Sequence, residues 1–147
     1  MQAQAVRDVS SLRILTLTVG GVVDTADAIA VVDRAPRQHG GKYPLVLATD
    51  NGSRCVSDDF EELLREHAVM LLLSLPHTPR HNPWGERGHR DLKEASGLDK
   101  RVIVQSHDDA ARRIDAALDR VDGHRLRATL GYQTARVVDA ELAGPVR

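Results

Sequence analysis

A chain of 147 residues with 41% hydrophobic content is long enough for one domain with its own core. Its formal charge of −1 carries no global nucleic-acid signature, so any attraction to DNA has to come from a local patch. A single cysteine, Cys55, excludes an internal disulfide and fits a reducing compartment. No apolar run approaches the ~20 residues that span a bilayer, and the start, MQAQAVRDV, has neither a cationic leader nor an apolar signal core. These readings predict a soluble, cytoplasmic protein without a membrane partner.

In chain order, Gln2 to Val9 is a weak strand candidate, and Ser10 and Ser11 mark a turn. Leu12 to Val19 alternates as a half-buried strand does, so the two predict a β-hairpin. Asp24 and Thr25 form an N-cap pair before the helical spacing Ala26, Ile29, Ala30, Val32 and Asp33, with Pro36 at the helix end. Gly40 and Gly41 then break the chain. Leu45 to Thr49 is a short apolar run that predicts a strand buried on both faces of an α/β layer. Asn51 and Gly52 predict a tight turn behind it.

Ser57 predicts the cap of a second helix, with Phe60, Leu63 and Leu64 on one face and Asp58, Asp59, Glu61 and Glu62 as a solvated, dipole-matched start. Val69 to Leu73 is the next strand. The stretch Ser74 to Asn82, rich in Pro, His and Thr, predicts an irregular loop able to act as a flap. Asn82 followed by Pro83 opens another helix, with Trp84 as a packing residue at its start. His107 to Val121 predicts an amphipathic helix capped by Ser106 with Asp109, its buried stripe being Ala110, Ile114, Ala117, Leu118 and Val121. Thr134 caps a last helix ending near Leu142.

Two acidic residues stand out. Asp50 lies just past the carboxyl end of a strand, where crevices form in open α/β sheets. Glu86 falls in the first turn of the helix opened by Asn82. Carboxylate oxygens suit a hard cation such as Mg²⁺ or Mn²⁺, which keeps waters that a phosphate can displace. Along the same helix, Arg90 and Lys93 follow Glu86 at spacings of four and three, on one face. That pattern fits either an ion pair with Glu86 or a pair of phosphate contacts. Arg80, His81 and Arg87 extend the basic patch, with Lys100 and Arg101 beyond it. His77, His81 and His89 lack the spacing of a structural zinc site.

The segment PLVLATDNGSRCVSDDFEELLREH followed by LSLPHTPRHNPWGERGHRDLK resembles the second half of the DDE-type integrase/transposase core of bacterial insertion-sequence transposases and retroviral integrases. The DNG turn, the TPxxN loop and the ER-containing helix carry the likeness. HRLRATLGYQTARVVDAEL resembles the bacterial transposase ending, and the likeness extends from about Val6 to Leu142.

The resemblance implies an RNase H-like α/β fold, a mixed sheet flanked by helices, with residues 1–147 as one catalytic core and 124–147 as its transposase-type C-terminal segment. It implies Asp50 and Glu86 as catalytic metal ligands for Mg²⁺ or Mn²⁺, and Arg80, Asn82, Arg87, Arg90 and Lys93 as DNA contacts. The partners implied are transposon ends and target DNA, and a second copy of the chain in a homo-oligomer. In the family the first catalytic Asp sits on a central strand before the hairpin. This sequence is expected to lack that strand and its Asp, because Asp8 matches the family's hairpin-turn Asp, with Ser11 and Arg13. Three functions therefore stand open: a metal-dependent strand-transfer recombinase core, a catalytically dead remnant that binds DNA or interferes with oligomers, or a different nuclease of the same fold with Asp8 recruited.

Overall fold

In the computed structural model the described residues are 2–38, 41–44, 46–50, 52, 55–75, 82–97 and 106–144. The elements are β1 (Gln2–Arg7), β2 (Ile14–Gly20), α1 (Thr25–Gln38), β3 (Val46–Thr49), α2 (Asp58–Glu66), β4 (Met70–Leu73), α3 (Pro83–Ser96), α4 (His107–Leu118) and α5 (Ala135–Ala143). No helix among the described residues is long and apolar enough to cross a membrane. The chain groups into two compact units, one of Met1–Val6 with Leu15–Glu86, the other of Arg7–Ile14 with Arg87–Arg147.

β1 and β2 pair with each other, and their connection is too short for a parallel crossover, so they form the expected hairpin. Its turn is built by Asp8, whose Oδ2 accepts from Ser11 N at 2.6 Å and from Ser11 Oγ at 2.7 Å. Leu12 takes φ 61° there, a left-handed conformation that costs a branched residue about 1 kcal/mol. The two Asp8 bonds hold it in place. Asp8 is thus a turn residue.

The first unit packs one apolar cluster. Ala28, Val32, Cys55, Phe60, Leu64 and Val69 are buried in it, and Val6, Leu47 and Leu71 lean on it from three strands. Asp24 Oδ1 accepts from Asp27 N at 3.0 Å and Asp27 Oδ2 accepts from Asp24 N at 3.2 Å, a reciprocal cap that starts α1. The buried stripe of α1 is Ala28, Val31, Val32, Ala35 and Pro36, spaced as one helical face. It is rotated from the predicted Ala26, Ile29, Ala30, Val32 and Asp33. Pro36 lies within the last turn, two residues before the helix ends, and its carbonyl accepts from Gly41 N at 2.7 Å.

β3 and β4 pair in parallel, Val46 opposite Met70 through Thr49 opposite Leu73, and Ser74 N continues the ladder to Thr49 O at 2.9 Å. The prediction of a strand buried on both faces is corrected here. Leu47 and Leu71 face the cluster, whereas Val46, Met70 and Leu72 are exposed. Ser57 caps α2 by accepting from Phe60 N at 3.4 Å. Tyr43 stacks on His67 with ring centroids 3.7 Å apart, and its hydroxyl donates to Asp33 Oδ1 at 2.7 Å. Burial, then that bond, pushes the Tyr43 pKa up to about 12.

In the second unit, Ser106 caps α4 by accepting from Asp109 N at 3.1 Å. Of the predicted stripe, Ala110, Ile114, Ala117 and Val121 are buried, and Leu118 is half-buried. The α-helix stops at Leu118 and widens over Asp119–His124, where Arg125 N reaches back five residues to Arg120 O at 2.9 Å. Within this wide turn Val121 and Asp122, consecutive in the chain, are both buried. A short bridge between Arg127 and Gln133 frames a turn through Gly131, which at φ 62° takes the left-handed conformation that glycine adopts freely. Thr134 then caps α5 by accepting from Val137 N at 3.4 Å.

Candidate functional site

Asp50 sits at the carboxyl end of β3, exposed, with its Oδ1 accepting from Gly52 N at 3.3 Å. A Cβ on Gly52 would lie 3.0 Å from that oxygen, so glycine leaves room for the carboxylate to fold over the turn. Glu86 is exposed in the first turn of α3, and its N–H donates to Asn82 O at 3.2 Å. Both carboxylates belong to the first unit. Among the described residues no group of three or more His, Cys, Asp or Glu side chains forms a metal cluster. The donor chemistry nevertheless suits Mg²⁺, which is held by one or two carboxylates together with substrate phosphate oxygens and water.

Asn82 serves as the N-cap of α3. Its Oδ1 accepts from Gly85 N at 3.1 Å, and a Cβ on Gly85 would come within 2.8 Å of the Asn82 amide. Cap and glycine are therefore a matched pair that fixes where α3 starts, and hence where Glu86 stands. Trp84, expected to pack at the helix start, is instead 48% exposed. Arg90 and Lys93 are exposed on α3. Arg80 and His81, and Lys100 and Arg101, lie outside the described residues.

Arg87 has a definite partner that the sequence reading did not anticipate. Its Nε donates to Asp91 Oδ1 at 3.1 Å, and Asp91 is wholly buried. Three more guanidiniums converge on the same carboxylate. Arg125 Nη1 lies 2.9 Å from Oδ1, Arg127 Nη1 lies 2.9 Å from Oδ2, and Arg7 Nη2 lies 3.8 Å from Oδ2. Gly88, one turn before Leu92, makes room for Arg7, since a Cβ there would meet the Arg7 Cδ at 3.1 Å. Burial, followed by repulsion from Arg127, lowers the Arg7 pKa.

Two more buried acids belong to this unit. Asp122 Oδ2 accepts from Ile14 N at 3.0 Å, while its Oδ1 has no partner among the described residues. Burial pushes its pKa up to about 6, outweighing the Ile14 bond and the nearby Arg127, Arg13 and Arg7 charges. Asp139 accepts from Ser11 Oγ at 3.5 Å and pairs with Arg13. The only sequence signal for this network was the i, i+4 spacing of Arg87 and Asp91.

No family model matches the chain, and no curated protein matches it in sequence. Solved structures do match. A chain of the simian T-cell lymphotropic virus intasome, solved in complex with PP2A regulatory subunit B56 gamma, superposes with a TM-score of 0.78 at 20% identity, over 98% of this chain and 49% of that one. The catalytic core domain of BIV integrase gives 0.70 at 17% identity, over 95% and 86%. The HTLV-2 integrase catalytic core domain in complex with magnesium, in its trimeric form, gives 0.68 at 17% identity, over 90% and 80%. The chain thus spans about half of the intasome chain and at least four-fifths of the two core domains. At such identities the likeness is one of architecture, and the expected RNase H-like α/β fold is borne out: this chain folds as a retroviral integrase catalytic core does.

Proposed function

We propose that the chain is the core of a DNA strand-transfer recombinase of the integrase/transposase type, with Asp50 and Glu86 as ligands of Mg²⁺ or Mn²⁺. The observation that supports it most is the placement of a strand-end carboxylate and a helix-start carboxylate in one compact unit of an integrase-like fold. A divalent cation held there would supply Lewis-acid stabilisation of charge on a phosphodiester.

The chain's own contributions are positional. Gly52 and Asn82 fix the carriers of the two carboxylates, which act as ligands and not as proton donors. Arg87, Arg90 and Lys93 on α3, with Arg80 and Asn82 before them, hold the DNA backbone through its phosphates. Residues 124–147 serve as the C-terminal segment of transposase type. A homo-oligomer on paired DNA ends is the working assembly; one of the similar cores was solved as a trimer.

The test is nicking and strand transfer on duplex DNA ends with Mg²⁺ or Mn²⁺. Asp50→Asn is expected to abolish the chemistry and leave duplex binding within about twofold, since removing a ligand of the cation removes what stabilises the transition state. Full activity in Asp50→Asn sinks the metal assignment. That no three acidic, His or Cys side chains gather into a metal-holding group among the described residues supports a second reading, a fragment that binds DNA or poisons oligomers without chemistry. Duplex binding with no metal-dependent nicking by the natural chain decides for it.

A further inference from the structure

Around Asp91 the cations outnumber the anions. Four guanidiniums share one buried carboxylate, and Asp122 offsets only part of their charge. Two of the four, Arg7 and Arg127, have side chains just 6% and 8% exposed and already supply the neutralisation that a buried carboxylate needs. Arg127 is even short of acceptors: its Nε and Nη2 are buried with no partner among the described residues. The other two face outward, Arg87 with 53% and Arg125 with 38% of the side chain exposed.

Arg87 and Arg125 touch the same oxygen, Asp91 Oδ1, at 3.1 and 2.9 Å. Their bonding nitrogens therefore lie no farther apart than those two lengths laid end to end, a span that one phosphate group bridges. Each spends a single N–H on Asp91, and a guanidinium carries five in a fixed fork that matches phosphate geometry. A shared buried carboxylate also fixes both side chains before any ligand arrives, which lowers the entropy lost on binding.

We infer that Arg87 and Arg125, aligned on the Asp91 carboxylate, form a two-guanidinium clamp for a backbone phosphate of duplex DNA, with Arg125 as a contact residue in its own right. This rests on the DNA-directed reading above, though not on its metal chemistry. Asp91 is then a positioning residue, and Arg7 and Arg127 hold it from behind.

The experiment is fluorescence anisotropy of the full chain with a labelled 30-base-pair duplex across a salt series, with thermal melting of each variant as a folding control. A phosphate contact weakens binding uniformly across sequences and lowers the salt slope by about one when its charge is removed. Arg125→Ala is expected to raise Kd roughly five- to tenfold with that loss of slope. Arg125→Lys keeps the charge but not the fork, so it is expected to raise Kd by about threefold with the slope unchanged; it also keeps the test open if Arg125→Ala unfolds. Arg112→Ala removes one exposed cation elsewhere in the same unit and is expected to change neither quantity. Unchanged Kd and slope in both Arg125 variants overturn the clamp, as does an equal loss in Arg112→Ala, which would mean net charge alone. Failure of the natural chain to bind duplex overturns both the clamp and the DNA reading, whereas binding without metal-dependent nicking leaves the clamp standing and removes only the chemistry.

Discussion

Asp122 shows how one side chain ties stability to pH. Its folded pKa of about 6 stands above the ordinary 3.8 because burial outweighs three nearby arginines. Between those two values the folded protein holds a proton that the unfolded chain has released, so on this residue's account stability falls as pH rises through the window and stays reduced above it. A shift of this size corresponds to roughly 3 kcal/mol. Asp122→Asn cannot titrate. The stability gap between the natural chain and the variant, measured by urea melts at pH 4 and pH 8, is expected to move by up to about 3 kcal/mol in the variant's favour at the higher pH. A gap that stays flat with pH means that Asp122 does not carry the shift.

Residues differ in how far the sequence reveals them for the same reason that Asp122 was missed. Ser57, Ser106 and Thr134 were legible as caps because each bonds a backbone N–H three residues on. Asp8 was legible as a turn residue for the same local reason. Asp91 was not. Its partners Arg125 and Arg127 lie 34 and 36 residues away, and no periodicity records a contact closed by tertiary folding. Asp50 and Glu86 were visible only as carboxylates at element ends, supported by motif resemblance.

At the scale of elements, the start of α3 decides where Glu86 stands, and it depends on Asn82 and Gly85 together. Losing an Asn N-cap costs about 1 kcal/mol, and replacing a helical Gly by Ala returns about the same. With Asn82 in place, Gly85→Ala drives its Cβ into the capping amide, so the gain is cancelled and stability is expected to stay nearly level. In an Asn82→Ala background the obstacle is gone, and the same Gly85→Ala change is expected to stabilise by about 1 kcal/mol. A double-mutant cycle on urea midpoints reads the difference, and strict additivity sinks the paired-cap account.

Helix α1 and strand β3 show where pattern reading slips. In α1, alanine and valine are so frequent that more than one stripe satisfies helical spacing, and packing selected Val31 and Ala35 over Ala26 and Ala30, while Ile29 stays half-buried against the cluster. In β3, an unbroken apolar run suggested burial on both faces, yet only alternate residues face the cluster. Composition cannot tell a strand sealed on both sides from one with an apolar outer face. The second strand of the hairpin, α2 and α4 came through because their alternation or stripe was unambiguous.

At the scale of the whole molecule, the two units are built on different physics. The first is held by an apolar cluster around Phe60 and Leu64. The second adds to the α4 stripe a network of buried acids and arginines. Such a network adds little net stability, because desolvation cancels much of the attraction, while removal of one member leaves the others uncompensated. The fold was legible from the order of elements and the joint motifs; the second unit's richness in arginine is visible in the sequence too, but its pairing into buried contacts is not, since those close between residues far apart along the chain.

Cys55 turns that division into something measurable. The chain's lone sulfhydryl is 4% exposed inside the apolar cluster, with the Gln4 amide 3.8 Å from its sulfur. A disulfide-exchange dye can therefore modify it only when this half opens, and is expected to react orders of magnitude more slowly than with free cysteine. Followed through increasing urea beside the circular dichroism signal, dye uptake acts as a reporter placed in one half alone. Coincident midpoints would mean that both halves melt in a single cooperative step, and separated midpoints would give each its own melting free energy. Uptake as fast as that of free cysteine in native buffer would contradict the sealed position of the sulfhydryl.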